Sequence, residues 1–108
     1  MWIAHNQGWL SIVSHRDKPD HLLVRARKRE HLESLFPDET IYVNKDADDR
    51  YRADILRIEV ASLLANELID IQYDNFKGSV TDSAYHNALM GVWSTMYFYG
   101  RDNDEHED

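Results

Sequence analysis

Apolar and polar positions alternate first over residues 10–15 (LSIVSH), where Leu10 and Ile12 stand against Ser11 and Val13. A period of two predicts a strand with one face on a core. Residues 16–20 (RDKPD) are dense in turn formers and lead to a second alternating run, 21–28. There Leu22, Val24 and Ala26 fall on one side, and Leu23, Arg25 and Arg27 on the other, so the pair reads as a hairpin. The spacing turns helical over 29–36, with Leu32, Leu35 and Phe36 on one side and Pro37 as the stop. A second hairpin is predicted from 40–44 (TIYVN) and 51–57 (YRADILR) around the polar turn 45–49. In its second strand Ala53 and Ile55 face inward, Arg52 and Asp54 outward, with Leu56 as the exception. A 3.6-residue stripe of Val60, Leu63, Leu64, Leu68 and Ile71 predicts a helix over 58–71, with Glu59 favourably placed in its first turn. After the loop 72–80, Thr81 or Asp82 can cap a last helix running to Tyr99. Its core stripe is expected to be Tyr85, Leu89, Val92, Met96 and Tyr99, with Gly100 as the C-cap and Arg101 near the negative end of the dipole.

The order strand, strand, helix, strand, strand, helix, helix implies an α+β fold: a four-stranded, mainly antiparallel sheet (ββαββαα) with helices packed on one face. The other face then displays Trp9, Ser11, Val13, His15, Arg25, Arg27, Tyr42 and Arg52. Arginines two apart on a strand beside aromatic planes can clamp a phosphate or carboxylate while a ring stacks nearby. Trp9, His15, Arg25, Arg27, Tyr42 and Arg52 are therefore candidate ligand-binding residues. An ordinary solvated sheet face would carry a similar mixture, and Asp17, Asp20 and Asp54 offset the arginines. On the last helix, Met90, Trp93 and Tyr97 form a second apolar line beside the core stripe. They are candidate interface residues, with a homodimer as the first expectation and cover by the first helix and the 72–80 loop as the alternative.

A chain of 108 residues accommodates one core, so a single domain over 1–101 is expected. The absence of cysteine excludes disulfides, thiolate nucleophiles and cysteine-ligated metals. No apolar run approaches the roughly 18 residues of a membrane span, and MWIAHNQGW lacks a basic start and a continuous apolar run, so a soluble cytoplasmic protein without a membrane partner is expected. The net charge of -8 is unevenly spread: residues 1–57 hold ten basic and ten acidic residues, residues 58–108 two and ten. Five of those last ten lie in residues 102–108, which read as an acidic, disordered tail. Direct nucleic-acid binding is disfavoured by this balance.

Six histidines prompt a search for metal and acid/base chemistry. Neither His31 nor His86 has another histidine four residues away, as a helical zinc pair needs. The histidine contexts contain no pair of His-x-Ser/Thr units, and the tripeptide at 15–17 (HRD) lacks the rest of a kinase catalytic loop. Phosphate-cradling Gly-rich loops and the G-x-S-x-G elbow are absent too. No catalytic residue, metal site or cofactor is assigned. His86, near Asp82, and His15 remain the acid/base candidates of a less favoured reading, a small His-dependent hydrolase.

The segments 50–53 (RYRA), 73–77 (YDNFK) and 85–93 (YHNALMGVW) resemble a family of small bacterial and phage-encoded proteins of unassigned activity, over residues 9 to 99. The resemblance implies a small accessory protein, as of a mobile element, and brings no reaction, cofactor or active site. The expected function is thus a non-enzymatic binding or inhibitor module of the anti-defence type, acting by protein contact as a homo-oligomer. The alternative from another class is a nucleotide- or phosphate-binding module, with a small anionic ligand held on the Arg/aromatic sheet face.

Overall fold

A two-residue turn, Asn6-Gln7, joins β1 (Trp2–His5) to β2 (Gly8–Ser14), and the pairing begins at the ladder end, where Met1 and Ile12 exchange both backbone hydrogen bonds at 2.8 Å. The computed structural model describes residues 1–106, with side chains described through Arg101. They fall into two units, residues 1–73 and the chain from residue 74 onward.

In the first unit β3 (His21–Ala26), α1 (Arg29–Leu35), β4 (Tyr42–Val43), β5 (Tyr51–Leu56) and α2 (Arg57–Ile69) follow. The sheet has five strands in the order β1-β2-β3-β5-β4, and every pairing is antiparallel. The expected four strands are present, and β1 is the additional one. It escapes the alternation rule because Trp2 and Ala4 on its outer side are as apolar as Ile3 on its inner side, so no contrast marks the strand.

Registers agree with the inferred faces. Leu10 and Ile12 of β2, Val24 and Ala26 of β3, and Ala53 and Ile55 of β5 are all buried, and they share one core with Leu32 and Leu35 of α1, Phe36, and Val60 of α2. Leu10, Leu32, Ile55 and Val24 are its largest fully buried side chains, each contributing about 1.5–3 kcal/mol. α1 ends where Pro37 forbids continuation, Phe36 N–H still reaching the Leu32 carbonyl at 2.9 Å. α1 also lies very close to β2: a Cβ on Gly8 would stand 2.7 Å from both Cα and Cβ of His31, and His31 Nδ1 accepts from Trp9 N–H at 3.1 Å. Only glycine permits this approach.

The inner stripe of α2 is shorter than its periodicity suggests. Val60 is buried and Leu63 and Leu64 partly so, while Leu68 and Ile71 are exposed.

The second unit holds a 3₁₀ turn (Lys77–Ser79) and α3 (Ser83–His106). Asp82 caps α3, its Oδ1 accepting from Tyr85 N–H at 2.9 Å. Two expectations for this helix are corrected. It does not stop at Gly100 but continues to His106, since glycine weakens a helix without ending one when no left-handed residue follows, and among the described residues none has a positive φ. Of the expected core stripe only Tyr85 and Leu89 are buried, and Val92, Met96 and Tyr99 are exposed. The acidic tail expected at 102–108 falls on residues whose side chains, and for 107 and 108 the whole residue, lie outside the described ones.

Candidate functional site

Trp2 pairs with Ser11, Ser11 with Arg25, Arg25 with Arg52, and Arg52 with Tyr42, so one row of side chains crosses all five strands on the face opposite the core. The inferred outer surface thus contains Arg25 and Arg52 side by side. Directly opposed cations repel on a sheet, and something must offset them.

That counter-charge is Asp49, in the turn before β5, whose side chain is 18% exposed. Its Oδ1 lies 3.5 Å from Arg27 Nε and its Oδ2 4.0 Å from Arg25 Nε, and its backbone carbonyl accepts from Arg52 Nε at 3.1 Å. Arg25 also donates from Nη2 to Ser11 Oγ at 2.8 Å, which satisfies the one buried polar residue of the core strands. Arg25 Nε is buried and lacks a hydrogen-bond partner among the described residues. The three arginines therefore converge on one residue of their own chain, Arg25 and Arg27 on the Asp49 carboxylate and Arg52 on its backbone carbonyl. Three guanidiniums against one carboxylate leave the cluster cationic, and an external anion would have to compete with Asp49.

His15 and Tyr42 belong to a separate group centred on Asp54. Tyr42 Oη donates to Asp54 Oδ1 at 2.7 Å, while His15 Nε2 and Lys18 Nζ approach Oδ2 at 3.1 and 3.5 Å. Burial works to raise the Asp54 carboxyl, but hydrogen bonds from Tyr42 and His15 outweigh it and hold the group below the usual aspartate value. Burial, with the bond to Asp54, pushes Tyr42 up to about 12. The His15–Asp54 pair superficially has the geometry of a base and its orienting acid. Its other nitrogen, Nδ1, is occupied by the backbone N–H groups of Asp17 and Lys18, each at 3.0 Å, which fixes the ring as a brace for the β2–β3 turn. Trp9 stands apart from both groups, against Trp2 with ring centroids 5.9 Å apart.

Other histidines serve similarly. His5 Nδ1 accepts from Gln7 N–H while its Nε2 meets Glu67 Oε1, each at 3.0 Å, and His31 holds Trp9 N–H. The Asp82 carboxylate near His86 is used as a helix cap. Among the described residues no group of three His, Cys, Asp or Glu side chains could hold a metal, and no helix is long and apolar enough to cross a membrane.

Sequence reasoning found the arginines through their alternation but missed Asp49, because the turn offers Asp46, Asp48 and Asp49 and nothing local says which one reaches the sheet. Of the candidate interface residues, Met90 is partly buried, while Trp93 and Tyr97 are 47% and 45% exposed and stacked on each other at 5.3 Å. Met96, Phe98 and Tyr99 are exposed on the same helix, and Lys77 Nζ sits 4.4 Å from the centre of the Trp93 ring. No family model matches the chain, and no curated protein or solved structure matches it either.

Proposed function

We propose that the protein is a non-enzymatic protein-binding module that pairs with a second copy of itself through the aromatic surface of α3. The observation that carries this reading is the exposed run of Trp93, Met96, Tyr97, Phe98 and Tyr99 on one helix. Solvent-facing aromatic and methionine side chains in such density are typical of contact surfaces, where they supply large area at low entropic cost. Charge supports a like partner. Residues 83–100 include no Asp, Glu, Lys or Arg, in a chain of which 30% is charged and whose net charge is -8. Within this segment two copies meet without like charges, the cations nearest its rings being Lys77 over Trp93 and Arg101 over Tyr97.

The histidine braces weigh against the hydrolase reading, and Asp49 weighs against the anion platform. The resemblance to small bacterial and phage-encoded proteins is in keeping with an accessory role in which the dimer blocks another protein by contact. Sedimentation velocity over a concentration series tests the pairing: the parent sediments as a dimer, and Trp93→Ser with Tyr97→Ser shifts it to monomer while leaving its helical circular dichroism intact. A parent that stays monomeric at every concentration, or a double variant that dimerises equally well, removes the proposal.

A further inference from the structure

β1 is an edge strand of the sheet, and its outward side carries unused main-chain groups. Met1, Ile3 and His5 occupy the hydrogen-bonded positions of the β1–β2 ladder, as the Met1–Ile12 exchange establishes. By alternation the N–H and C=O groups of Trp2 and Ala4 point away from β2, and among the described residues none of them has a hydrogen bond. Edges of this kind are usually blunted by charge, proline or a bulge, and this one has none of these over Trp2–His5.

A groove of about 590 Å³ runs along the same strand. Successive residues from Ile3 to Gln7, of both side-chain parities, line it, so it lies against the strand's edge as well as its inner face. Leu64, Glu67, Leu68 and the segment from Asp70 to Tyr73 form the opposite wall. All of this lies within the first unit.

We propose that the β1 edge and this groove bind an extended, basic-apolar peptide segment of a partner protein by strand addition. Pairing to Trp2 and Ala4 places the residue opposite Ile3 in a close non-hydrogen-bonded position on the inner side, where it enters the groove among Ile3, Leu64 and Leu68. That position calls for an aliphatic side chain. Two residues away, the inner-side position lies opposite His5, whose ring holds Glu67 at 3.0 Å. Glu67 and Asp70 line the groove and no Lys or Arg does, so a lysine or arginine fits there. The same acidic wall disfavours a second copy, which would present Glu67 and Asp70 to themselves. This surface is independent of α3, and the two proposals can fail separately.

The probe is a blocked synthetic peptide, Lys-Thr-Leu-Thr-Leu, with Glu-Thr-Leu-Thr-Leu as its charge-reversed control. Binding is followed by amide proton shifts and hydrogen exchange. The Lys peptide is expected to bind with a dissociation constant below about 1 mM and to slow exchange at Trp2 and Ala4, and the Glu peptide to bind at least about tenfold more weakly. Ala4→Pro removes an outward N–H while sparing every bond to β2, because proline is tolerated at an edge. It should cost at least about tenfold in affinity with unchanged circular dichroism. Leu68→Lys, at an exposed wall position, should weaken the Lys peptide without touching the ladder. Absence of binding by the Lys peptide, equal binding by Ala4→Pro, or self-association of the parent that Ala4→Pro abolishes would each overturn the proposal, the last by assigning the edge to a second copy.

Discussion

Gly8→Ala adds one methyl group at the point where α1 comes nearest to the sheet. The new Cβ would lie 2.7 Å from His31 Cα and Cβ and 2.9 Å from Cγ, against the roughly 3.5–4.0 Å at which carbon atoms rest. The shortfall is near 1 Å, and two of the three atoms are fixed by the α1 backbone, so no rotation of the histidine ring relieves it. α1 must move outward. Overpacking of this kind costs about 1–3 kcal/mol. The same shift stretches the 3.1 Å bond from Trp9 N–H to His31 Nδ1, worth about 1 kcal/mol. Against these stands the lower unfolded-state entropy of alanine, about 0.4–1 kcal/mol. The net loss is about 1–3 kcal/mol, which for a domain of this size lowers Tm by roughly 5–20 °C. Thermal and urea melts followed by circular dichroism measure it, with Gly91→Ala as the opposing control. At Gly91 a Cβ meets nothing within 4 Å, and alanine should stabilise α3 by about 1 kcal/mol. A Gly8→Ala protein as stable as the parent, or both variants changing stability in the same direction, would refute the close approach of α1 to β2.

Two further outcomes follow from the charged groups. Asp49→Asn keeps the shape of the arginine clamp but removes its anion, and should cost about 1–3 kcal/mol, read from urea midpoints. Inorganic phosphate should restore part of the loss in the variant and leave the parent unchanged. Asp54 is held below its ordinary value when folded, so its contribution is complete above the unfolded aspartate range and fades as pH falls through the folded value, and Asp54→Asn should flatten the acid limb of a Tm-against-pH curve. Tyr42 and, through burial, Tyr85 are pushed to about 12 from 10.0, so their contribution is intact below 10 and lost as pH rises towards 12. Phenolate absorbance should show both ionising late.

Sequence pattern proved informative wherever the two sides of an element differ in polarity. Leu22, Val24 and Ala26 against Leu23, Arg25 and Arg27 suffice to place the arginines together, and Ala53 and Ile55 do the same for Arg52. β1 was illegible because its two sides are chemically alike. Periodicity also identifies which residues of a helix share a side but not where cover ends, which is why Leu68, Val92, Met96 and Tyr99 were assigned to an interior they do not reach. The partnership of Asp49 with arginines on β3 and β5 depends on the path of the turn after β4, a tertiary fact with no local signature.

The two borders of the sheet are unequal. On one side β4 spans only Tyr42–Val43, while on the other β1 spans Trp2–His5. Fibrous growth by sheet extension needs two adhesive borders on each molecule, so that every arrival creates a new landing place. Here one border is long enough to accept a strand and the other is too short to template the next, so extension stops after a single event and its product has a closed stoichiometry.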